Sequence, residues 1–410
     1  MVVREMPGGK YMSVDEAIAL VRGRPPVRGA EPVAVTEALG RVLAEDVVAD
    51  APVPAYESSA MDGYALRFAD IGVDRRLRVD GRVAAGHPLA TGLARGTAAR
   101  IFTGAALPHG ADTVAMQEFC RLDGDSVIVP PDLVRGVNRR DAGEDIAAGS
   151  TVLAAGTRLR AQDIGIATAV GRASLRVRRR LRVGVLVTGD ELRPPGAPLP
   201  PGCIYDSNRH TVGAALRGLG AEVSDYGIVP DNREAIRDAL SVAAAANSLV
   251  VSTGGMSEGE EDHVRAVVQE IGSLDFWKLP IKPGRPVAVG SVGEAAFLGL
   301  PGNPVSAMIT FWVLGRPHVL HLMGATDITP TRFPVVALFD YQHRPGRREF
   351  LRGRLRVGSG GRLGAETFGS TGSGMLSSLN WSDGLIELSE DAGAVASGDI
   401  VSYLPYHGLE

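Results

Sequence analysis

The segment from residue 181 to 271 alternates short apolar runs with helical patterns, and this alternation limits the possible folds more than any other feature of the chain. Each apolar run ends in polar residues and precedes a segment with apolar residues at helical spacing. This order predicts a parallel sheet covered by helices on both faces, so we predict a doubly wound α/β domain over residues 179–328. The runs are LRVGVLVTGDEL, DYGIV and SLVVSTGG, and the helical segments are NRHTVGAALRGLG, REAIRDALSVAAAA and EEDHVRAVVQEIG.

Two segments before this domain are expected to fold together across a long insertion. Ser13, with Glu16 three residues later, forms a capping box that opens an amphipathic helix. Such a helix needs an apolar partner, and we predict that partner at 157–170. The residues between these helices form strand patterns broken by turns, including GRVAAG, AARIFTG, DTVAMQEF and SVIVP. The predicted boundaries are 1–50 plus 142–178 for a split linker domain and 51–141 for an inserted, mostly β domain.

The last part of the chain returns to short alternating strands. From residue 331, the patterns PVVALFD, EFLRGRLRV, LIELSE and DIVSYLPY follow one another with turn residues between them. A segment of about 80 residues with this pattern is typical of a small β-barrel or sandwich, which we place at 329–410. The apolar segment just before it, 299–324, is too polar at its flanks to be interpreted as a membrane span.

The composition argues against several classes of protein. With 410 residues, 45% of them hydrophobic and 22% charged, the chain is expected to form about two to four globular domains. A formal charge of −4 gives no overall attraction to nucleic acid, and the arginine-rich stretch 171–181 is interpreted as a solvated face. Cys120 and Cys203 support neither a disulfide framework nor a zinc site. We expect a soluble cytoplasmic protein with no nucleic-acid or membrane partner.

Acidic residues follow the predicted strands of the α/β domain. Ligands of such sheets bind at the carboxyl ends of the strands, where Asp190, Glu191, Asp206, Asp231 and Asp262 fall. Capping of the next helix can account for Asp206 or Asp231 taken singly. Several acids on one rim are costly unless a cation lies among them, and oxygen ligands without His or Cys favour Mg²⁺ over Zn²⁺.

Features that suit a phosphate group accompany these acids. A double glycine directly after a strand permits backbone N–H groups to approach an anion, although it is weak evidence alone. Two lysines on a proline-stiffened segment hold cations in place. The stretch GLPGNPVS predicts a tight turn into a helix, whose first N–H groups are free to donate. The residues concerned are Gly254, Gly255, Lys278, Lys282, Pro301 and Pro304.

The stretch SSAMDGYAL, residues 58–66, places Asp62 directly before Gly63. Asp before Gly is a strong turn signal, because the short side chain bonds nearby backbone and Gly accepts a positive φ. On local grounds a turn is the better interpretation. A role for Asp62 as a reagent stays open.

Eight stretches together resemble the MoeA family of molybdopterin molybdenumtransferases, which includes the gephyrin E domain. They occur in the family's order and cover nearly the whole chain. The resemblance implies an α/β multidomain protein: a split linker domain with an inserted β domain, a doubly wound MogA-like α/β domain that binds molybdopterin, and a C-terminal β-barrel. The stretches are SSAMDGYAL, RIFTGAALPHGADTVAMQE, GEDI, VTGDEL, IYDSN, STGGMS, IKPGRP and GLPGNPVS.

The resemblance also implies a reaction. Adenylylated molybdopterin and molybdate, with Mg²⁺ as cofactor, yield molybdenum cofactor and AMP. A molybdopterin adenylyltransferase is the implied partner. The implied assembly is an elongated homodimer in which the inserted domain of one chain faces the α/β and C-terminal domains of the other, so that the active site is shared.

Individual residues take implied roles by their match to the family's motifs. Arg352 and Ser373 match an oxyanion site of the fourth domain, although their local sequence alone indicates surface residues. The implied catalytic residues are Asp62, Thr103, Asp145, Glu191, Asp231 and Asp262, of which Glu191, Asp231 and Asp262 are the implied metal ligands. The implied substrate-binding residues are Arg140, Gly254, Gly255, Ser257, Lys278, Lys282, Pro301, Pro304, Arg352 and Ser373. The chain departs from the family pattern at Glu258, Glu260, Glu261 and Arg285.

Two other functions are weighed against this one. A molybdopterin adenylyltransferase shares the α/β domain, but its glycine loop reads TGGTG where residues 253–257 read TGGMS. A non-catalytic molybdopterin-binding scaffold is the second alternative, because a fold does not determine a function. Joint retention of several charged motif residues argues against a degenerate site: Asp62, Asp231, Asp262, Lys278 and Lys282. The choice between molybdenum and tungsten stays open.

Overall fold

The computed structural model describes residues 12–256, 263–358 and 361–409. The predicted roles of Ser257 and Asp262 fall outside the described residues, as do the unusual glutamates Glu258, Glu260 and Glu261.

Residues 12–178 begin with a helix, continue through short strands and reach a second helix near their end. The capping box is present as predicted, since Ser13 and Glu16 exchange hydrogen bonds between side chain and backbone N–H at 3.2 and 2.7 Å. The elements are α1 (Val14–Arg22), β1 (Ala30–Ala34), β2 (Val47–Val48), β3 (Ser58–Ser59), β4 (Gly63–Leu66), β5 (Arg76–Val83), β6 (Thr97–Ile101), β7 (Thr113–Met116), β8 (Arg121–Asp123), β9 (Ser126–Ile128), β10 (Arg139–Arg140), β11 (Thr151–Leu153), α2 (Ala161–Ala169) and β12 (Ser174–Arg178), with short 3-10 helices at Val35–Glu37, Phe68–Asp70 and Gln117–Phe119.

The two linker segments fold together although the chain between them is long. Strand β1 pairs antiparallel with β12, and β2 pairs antiparallel with β11. Leu43 and Val47 of the first segment share a hydrophobic core with Leu159 and Val177 of the second. The chain between these segments therefore forms a unit of its own, which we call the inserted domain (51–141).

The inserted domain is a mixed sheet of six strands in the order β7-β4-β6-β5-β9-β8. Strands β5 and β6 are parallel, and the other neighbours are antiparallel. Successive side chains of β4 enter different clusters: Leu66 packs with Leu77, whereas Ala65 packs with Ile101. The sheet thus has apolar residues on both faces. Strands β3 and β10 form a separate antiparallel pair.

The elements between residues 182 and 322 form the α/β domain. Its elements are β13 (Arg182–Thr188), β14 (Leu192–Arg193), β15 (Ile204–Tyr205), α3 (Asn208–Gly218), β16 (Glu222–Val229), α4 (Arg233–Ala246), β17 (Leu249–Thr253), α5 (His263–Ile271), β18 (Gly272–Lys278), β19 (Ile281–Lys282), β20 (Pro286–Val292), β21 (Ala295–Leu300), α6 (Pro304–Thr310), a π-helical segment (Phe311–Gly315) and α7 (Arg316–Leu322).

The sheet of this domain has the order β16-β13-β17-β21-β20-β18 and is parallel only in part. Strands β16, β13, β17 and β21 are parallel, as the alternation predicts. Strand β20, which lies outside the predicted alternation, runs antiparallel to its neighbours β21 and β18. Only two residues, Gly293 and Glu294, join β20 to β21. Such a connection makes a hairpin, because a parallel pair needs a long crossover.

The residues from Pro304 to Leu322 form one helical segment, which we call the central helix. It is buried from Val305 to Gly315 and is apolar on all sides, as expected for a helix inside a core. Its core includes Leu298 of the sheet and Leu404 near the C-terminus. Among the described residues, no helix has both the length and the hydropathy needed to cross a membrane.

Helix α1 packs on the central helix, and its predicted pairing with 157–170 is wrong. Its buried face, Val14, Ala17 and Val21, joins the core of the α/β domain and contacts α7. Helix α2 packs instead in the linker core beside β11. An apolar stripe identifies the buried face of a helix but does not specify which other apolar surface covers it.

The C-terminal strands close into a barrel. Strand order is β23-β24-β22-β26-β25, and β25 pairs with β23 as well as β26, which closes the ring. The predicted barrel is therefore confirmed, and an open sandwich is not formed. Strand β19 of the preceding domain extends the sheet by pairing with β23. The elements are β22 (Phe333–Ala337), β23 (Arg348–Val357), β24 (Leu363–Thr367), α8 (Ser377–Trp381), β25 (Gly384–Leu388), β26 (Ile400–Pro405) and a 3-10 helix (Tyr406–Gly408).

A Val21→Ala substitution tests the packing of α1 on the central helix. Because Val21 is fully buried, we expect the free energy of unfolding to fall by about 2 kcal/mol, from lost apolar burial and the cavity left behind. Denaturant unfolding followed by tryptophan fluorescence measures the change. Val73→Ala is the matched control, because Val73 is fully exposed and its loss should leave the midpoint unchanged. Equal effects of the two substitutions would contradict the packing.

Candidate active site

A cavity of about 510 Å³ opens at the carboxyl ends of β13 and β17. Its walls come from the turns after these strands and from the start of the central helix. It brings together most of the predicted residues of the α/β domain, together with Asn208 and Asn303, which the sequence did not single out. The predicted residues in its lining are Glu191, Asp231, Gly254, Gly255, Pro301 and Pro304.

The double glycine is required by the close packing of the turn after β17. Gly254 and Gly255 have φ of +88° and +62°, in the region that favours glycine. A Cβ on Gly254 would lie 2.6 Å from the carbonyl oxygen of Thr188, and one on Gly255 would lie 2.5 Å from Val264. No side chain fits at either position, so backbone lines this part of the cavity.

Acids crowd one side of the cavity. Asp190 and Asp231 connect the turns in which they lie. The Asp190 carboxylate accepts a hydrogen bond from the backbone N–H of Asp231 at 3.1 Å, and the Asp231 carboxylate accepts one from the backbone N–H of Asp190 at 3.3 Å. Partial burial raises the pKa of the Asp231 carboxyl, and the negative charges of Asp190 and Glu191 add to the rise. Asp206 differs, since its carboxylate binds Arg209 and the backbone N–H at the start of α3. Local capping therefore accounts for Asp206 but not for Asp231.

The turn before the central helix connects the cavity with the C-terminal domain. Pro304 is the first helical residue, and Asn208 donates to the carbonyl of Gly302 at 2.6 Å. The N–H of Val305, one of the donors expected to be free, instead binds the carbonyl of Ser373 at 3.1 Å. Ser373 is thereby held at the edge of the cavity by a backbone contact.

The two predicted lysines have different surroundings. Lys278 ends β18 and lies opposite Pro286, which lines the cavity. Lys282 forms an ion pair with the buried carboxylate of Glu349 and donates to the hydroxyl of Tyr341 at 3.1 Å. Although burial opposes it, these partners raise the pKa of Lys282. Its ammonium group is fixed in place, as the proline-stiffened segment predicts, and it is already paired with Glu349.

Arg352 is buried. Its local sequence alone indicated a surface residue, and that expectation is wrong. Only 2% of the residue is exposed, and its guanidinium donates to Ser378 Oγ at 3.0 Å and to the carbonyl of Ser370 at 2.7 Å. It lines a second cavity, of about 470 Å³, together with Tyr341. Since Tyr341 also contacts Lys282, this barrel cavity and the lysine share one polar network.

Asp62 and Thr103 are brought together on the inserted domain. One oxygen of the Asp62 carboxylate accepts from both the backbone N–H and the hydroxyl of Thr103, each at 2.8 Å. These bonds lower the pKa of Asp62 and keep it ionised. A Cβ on Gly63 would collide with the carbonyl of Ala115, so the glycine is required there. The turn at Gly63 and the bonds from Thr103 therefore together fix the position of the Asp62 carboxylate.

Arg140 belongs to the inserted domain, and Asp145 lies just beyond its end, in the second linker segment. Arg140 is exposed on β10, where it pairs with Ser58. The next strand residue, Ser59, exchanges backbone hydrogen bonds with Gly104 and Ala105, directly after Thr103. Asp145 is exposed, and its backbone N–H binds Val53. No described residue of the inserted domain lines the 510 Å³ cavity, so one chain displays two separate groups of predicted residues.

Comparison with known protein families matches the chain along most of its length. Residues 12–171 match the MoeA N-terminal region (domains I and II), residues 184–321 match a probable molybdopterin-binding domain, and residues 334–406 match the MoeA C-terminal region (domain IV). The chain belongs to the MoeA family. The resemblance seen in the motifs is therefore confirmed, together with the multidomain α/β fold that it implied.

Relatives of this MoeA protein include curated enzymes and solved structures. The molybdopterin molybdenumtransferase of Haemophilus influenzae is 39% identical over 91% of this chain and 93% of its own. That of a Nostoc species is 35% identical over 89% of this chain and 86% of its own. The crystal structure of the molybdopterin biosynthesis moeA protein from Pyrococcus horikoshii OT3 has a TM-score of 0.83 at 29% identity, covering 97% of this chain and 100% of that one.

Some site residues of this MoeA chain could not be found from its sequence. Asn208 is an exception, because it belongs to IYDSN, one of the stretches that resemble the MoeA family. No sequence pattern indicated the roles of Glu349, Tyr341 and His343, because polar residues in a segment of alternating strands are normally expected to face solvent. The structure instead buries Glu349, which accepts from Tyr341 at 2.6 Å and contacts His343 at 3.2 Å.

A Thr103→Val substitution tests the contact that holds Asp62. The variant loses the hydroxyl donor but keeps the backbone donor, so we expect the pKa of Asp62 to rise toward its ordinary value. A carboxylate with a depressed pKa keeps its contacts until the pH falls through that pKa, so the wild-type contact should persist to lower pH. Carboxyl carbon NMR titration measures both values. Thr91→Val, at an exposed threonine of the same domain, should leave the pKa of Asp62 unchanged.

Proposed function

We propose that this protein inserts molybdenum into molybdopterin and so completes the molybdenum cofactor. Its substrates are adenylylated molybdopterin and molybdate, and its second product is AMP. The observation that carries the proposal is the 510 Å³ cavity with its glycine turn and acidic rim, which lies inside the region that matches a probable molybdopterin-binding domain. Relatives at 35% and 39% identity, named molybdopterin molybdenumtransferase, support the same reaction.

The cavity suits an adenylylated substrate. Gly254 and Gly255 expose backbone on one wall, where an anionic group can approach closely. Pro301 and Pro304 shape the opposite turn, and Lys278 supplies positive charge near Pro286. These groups bind and orient the phosphate groups of the substrate, while Ser257 belongs to the same proposed set by its motif. A molybdopterin adenylyltransferase supplies the adenylylated substrate.

Mg²⁺ is the metal that the acidic side of the cavity would hold. Asp231 and Glu191 supply carboxylates there. Burial raises the pKa of Asp231, the negative charges of Asp190 and Glu191 add to the rise, and a cation would offset these charges. Among the described residues, no group of three or more His, Cys, Asp or Glu is placed as a metal site. The donor set nevertheless fits Mg²⁺, because this ion often binds one or two carboxylates and completes its shell with substrate phosphates and water. By its motif, Asp262 belongs to the same set.

When bound, Mg²⁺ would polarise the pyrophosphate and offset the charge that develops as AMP departs. The chain's own residues perform the other tasks. Asp62, fixed by Thr103 and ionised, is placed to orient an attacking water or to hold the substrate. Asp145 and Arg140 belong to the same proposed set by their motifs. Arg352 and Ser373 belong to the barrel side, where we place molybdate.

We further propose that the complete active site is shared between two chains. Within one chain, the Asp62 face contributes nothing to the lining of the 510 Å³ cavity. In a homodimer, the inserted domain of one chain could cover the cavity of the other and so bring the Asp62 face to the cavity residues. Two-fold symmetry would form this contact twice, once in each direction. Each dimer then has two equivalent sites.

An Asp62→Asn substitution tests the catalytic role. Asparagine can still accept from Thr103 but carries no charge, so we expect AMP release to fall at least about 100-fold with the fold retained. Release of AMP from adenylylated molybdopterin, with and without molybdate, measures the effect.

Asp132→Asn provides the control for this variant, because Asp132 is an exposed aspartate of the same domain. Its AMP release should equal that of wild type. Wild-type rates for Asp62→Asn would contradict the role. Formation of adenylylated product from ATP and molybdopterin would identify an adenylyltransferase instead.

Mixing two inactive variants tests whether the site is shared. In a mixed dimer of Asp62→Asn and Asp231→Asn chains, one site carries both substitutions and the other carries neither. Random exchange should therefore restore about a quarter of wild-type activity from two inactive proteins. Mixing Asp62→Asn with itself is the control and should restore none. Failure of the mixture, with subunit exchange verified by mass spectrometry, would place both residues in the site of one chain.

A further inference from the structure

A large cleft lies at the amino ends of the strands of the α/β sheet, whereas the candidate active site lies at their carboxyl ends. Its volume is about 870 Å³, and its walls come from the second linker segment, the end of α3 and the start of α7. Arg180 and Gly220 in its lining lie two residues before the first residues of β13 and β16, so the cleft opens at the amino ends of these strands. We call it the arginine cleft after its cationic lining residues, Arg158, Arg160, Arg180, Arg217 and Arg316.

Positive charge in the arginine cleft exceeds negative charge. Asp327 is the single acid among the described lining residues. Arg160 is neutralised from outside the cleft, because Asp163 accepts two of its side-chain hydrogen bonds at 2.9 and 3.1 Å. The other four guanidinium groups therefore face one carboxylate.

Two of these guanidinium groups are partly buried and incompletely satisfied. The Nε atoms of Arg158 and Arg316 are buried and have no hydrogen-bond partner among the described residues. Within the described part of the chain, Arg158 donates to the carbonyls of Gly218 and Leu219, at 3.4 and 3.5 Å, and Arg316 donates to the carbonyl of Ile328 at 3.2 Å. Burial lowers the pKa of Arg316 to about 10, and the nearby charge of Arg158 adds to this effect. Both groups remain charged at neutral pH, so two like charges are held close together at a cost.

We propose that the arginine cleft binds a multivalent anion of the phosphate class. Guanidinium groups present forked N–H donors that match phosphate oxygens, and an anion beside Arg158 and Arg316 would accept from their outer N–H groups and offset their repulsion. No aromatic side chain is found among the described lining residues, so recognition rests on charge and hydrogen bonds rather than on ring stacking. Inorganic pyrophosphate has this chemistry and is small enough for the cleft.

Binding there would join two parts of the protein. Arg158 belongs to the linker segment, whereas Arg217 and Arg316 belong to the α/β domain. An anion held by all three would bind the folded protein and not the unfolded chain, so it would raise the thermal unfolding midpoint as its concentration increases. The arginine cleft shares no lining residue with the 510 Å³ cavity, so this inference does not depend on the proposed function.

Pyrophosphate binding to the full chain tests the proposal. Isothermal titration and thermal unfolding are measured at constant ionic strength for wild type and for the double variant Arg180→Ala, Arg217→Ala. Both arginines are exposed at the mouth of the cleft, so the variant is expected to fold. We expect wild type to bind about one pyrophosphate per chain in the cleft and the variant to bind it at least about tenfold more weakly. The double variant Arg95→Ala, Arg121→Ala removes the same charge at exposed positions elsewhere and should bind like wild type.

Three results would overturn the proposal. Wild type could show no pyrophosphate binding, or the cleft variant could bind as tightly as wild type, which would place the anion elsewhere, including the candidate active site. The third is a change of oligomeric state in the cleft variant with pyrophosphate affinity unchanged, which would show that a second copy of the chain contacts these arginines. A single Arg158→Gln variant, checked for folding by circular dichroism, should also lose affinity. Because no molybdopterin is present, these outcomes are independent of AMP release.

Discussion

Burial of the central helix is the interaction on which the rest of the structure depends. Its apolar side chains pack against the sheet of the α/β domain, against α1 and against residues near the C-terminus, so one helix joins parts of the chain that are far apart in sequence. The turn that contains Pro301 and Pro304 leads directly into this helix, so the buried helix fixes the position of the turn. The contact between Val305 and Ser373 then fixes the C-terminal domain at the same point. The position of the cavity follows from core packing.

The two ends of the sheet carry opposite charge. Asp190, Glu191 and Asp231 gather at the carboxyl ends of the strands, while arginines gather at the amino ends. Charges of one sign held close together favour a ligand of the other sign, because partial burial weakens solvent screening. A cation at the first end and an anion at the second would each reduce this cost. The two sites can therefore be considered separately, although they share one sheet.

Elements with local signals were predictable, and contacts between distant elements were not. The capping box at Ser13, the alternation of strands and helices and the glycine turn all depend on neighbouring residues, and the structure contains each of them. The partner of α1 depended on long-range packing, and the expected partner, 157–170, was wrong. The reversed strand β20 lay outside the predicted alternation of strands and helices. Arg352 was wrongly expected at the surface for the same reason, because its partners Ser370 and Ser378 lie outside its own strand. The pairing of Lys282 with Glu349 had no local signal either.

The sequence by itself determined the family, the kinds of secondary structure and the residue types available for chemistry, because each is written in short motifs or in local periodicity. Only the tertiary structure decided which of these residues meet. It joined Asp62 to Thr103, paired Lys282 with a buried glutamate, and separated the Asp62 face from the cavity of its own chain. Such pairings depend on the free energy of packing between distant segments, which no local pattern contains.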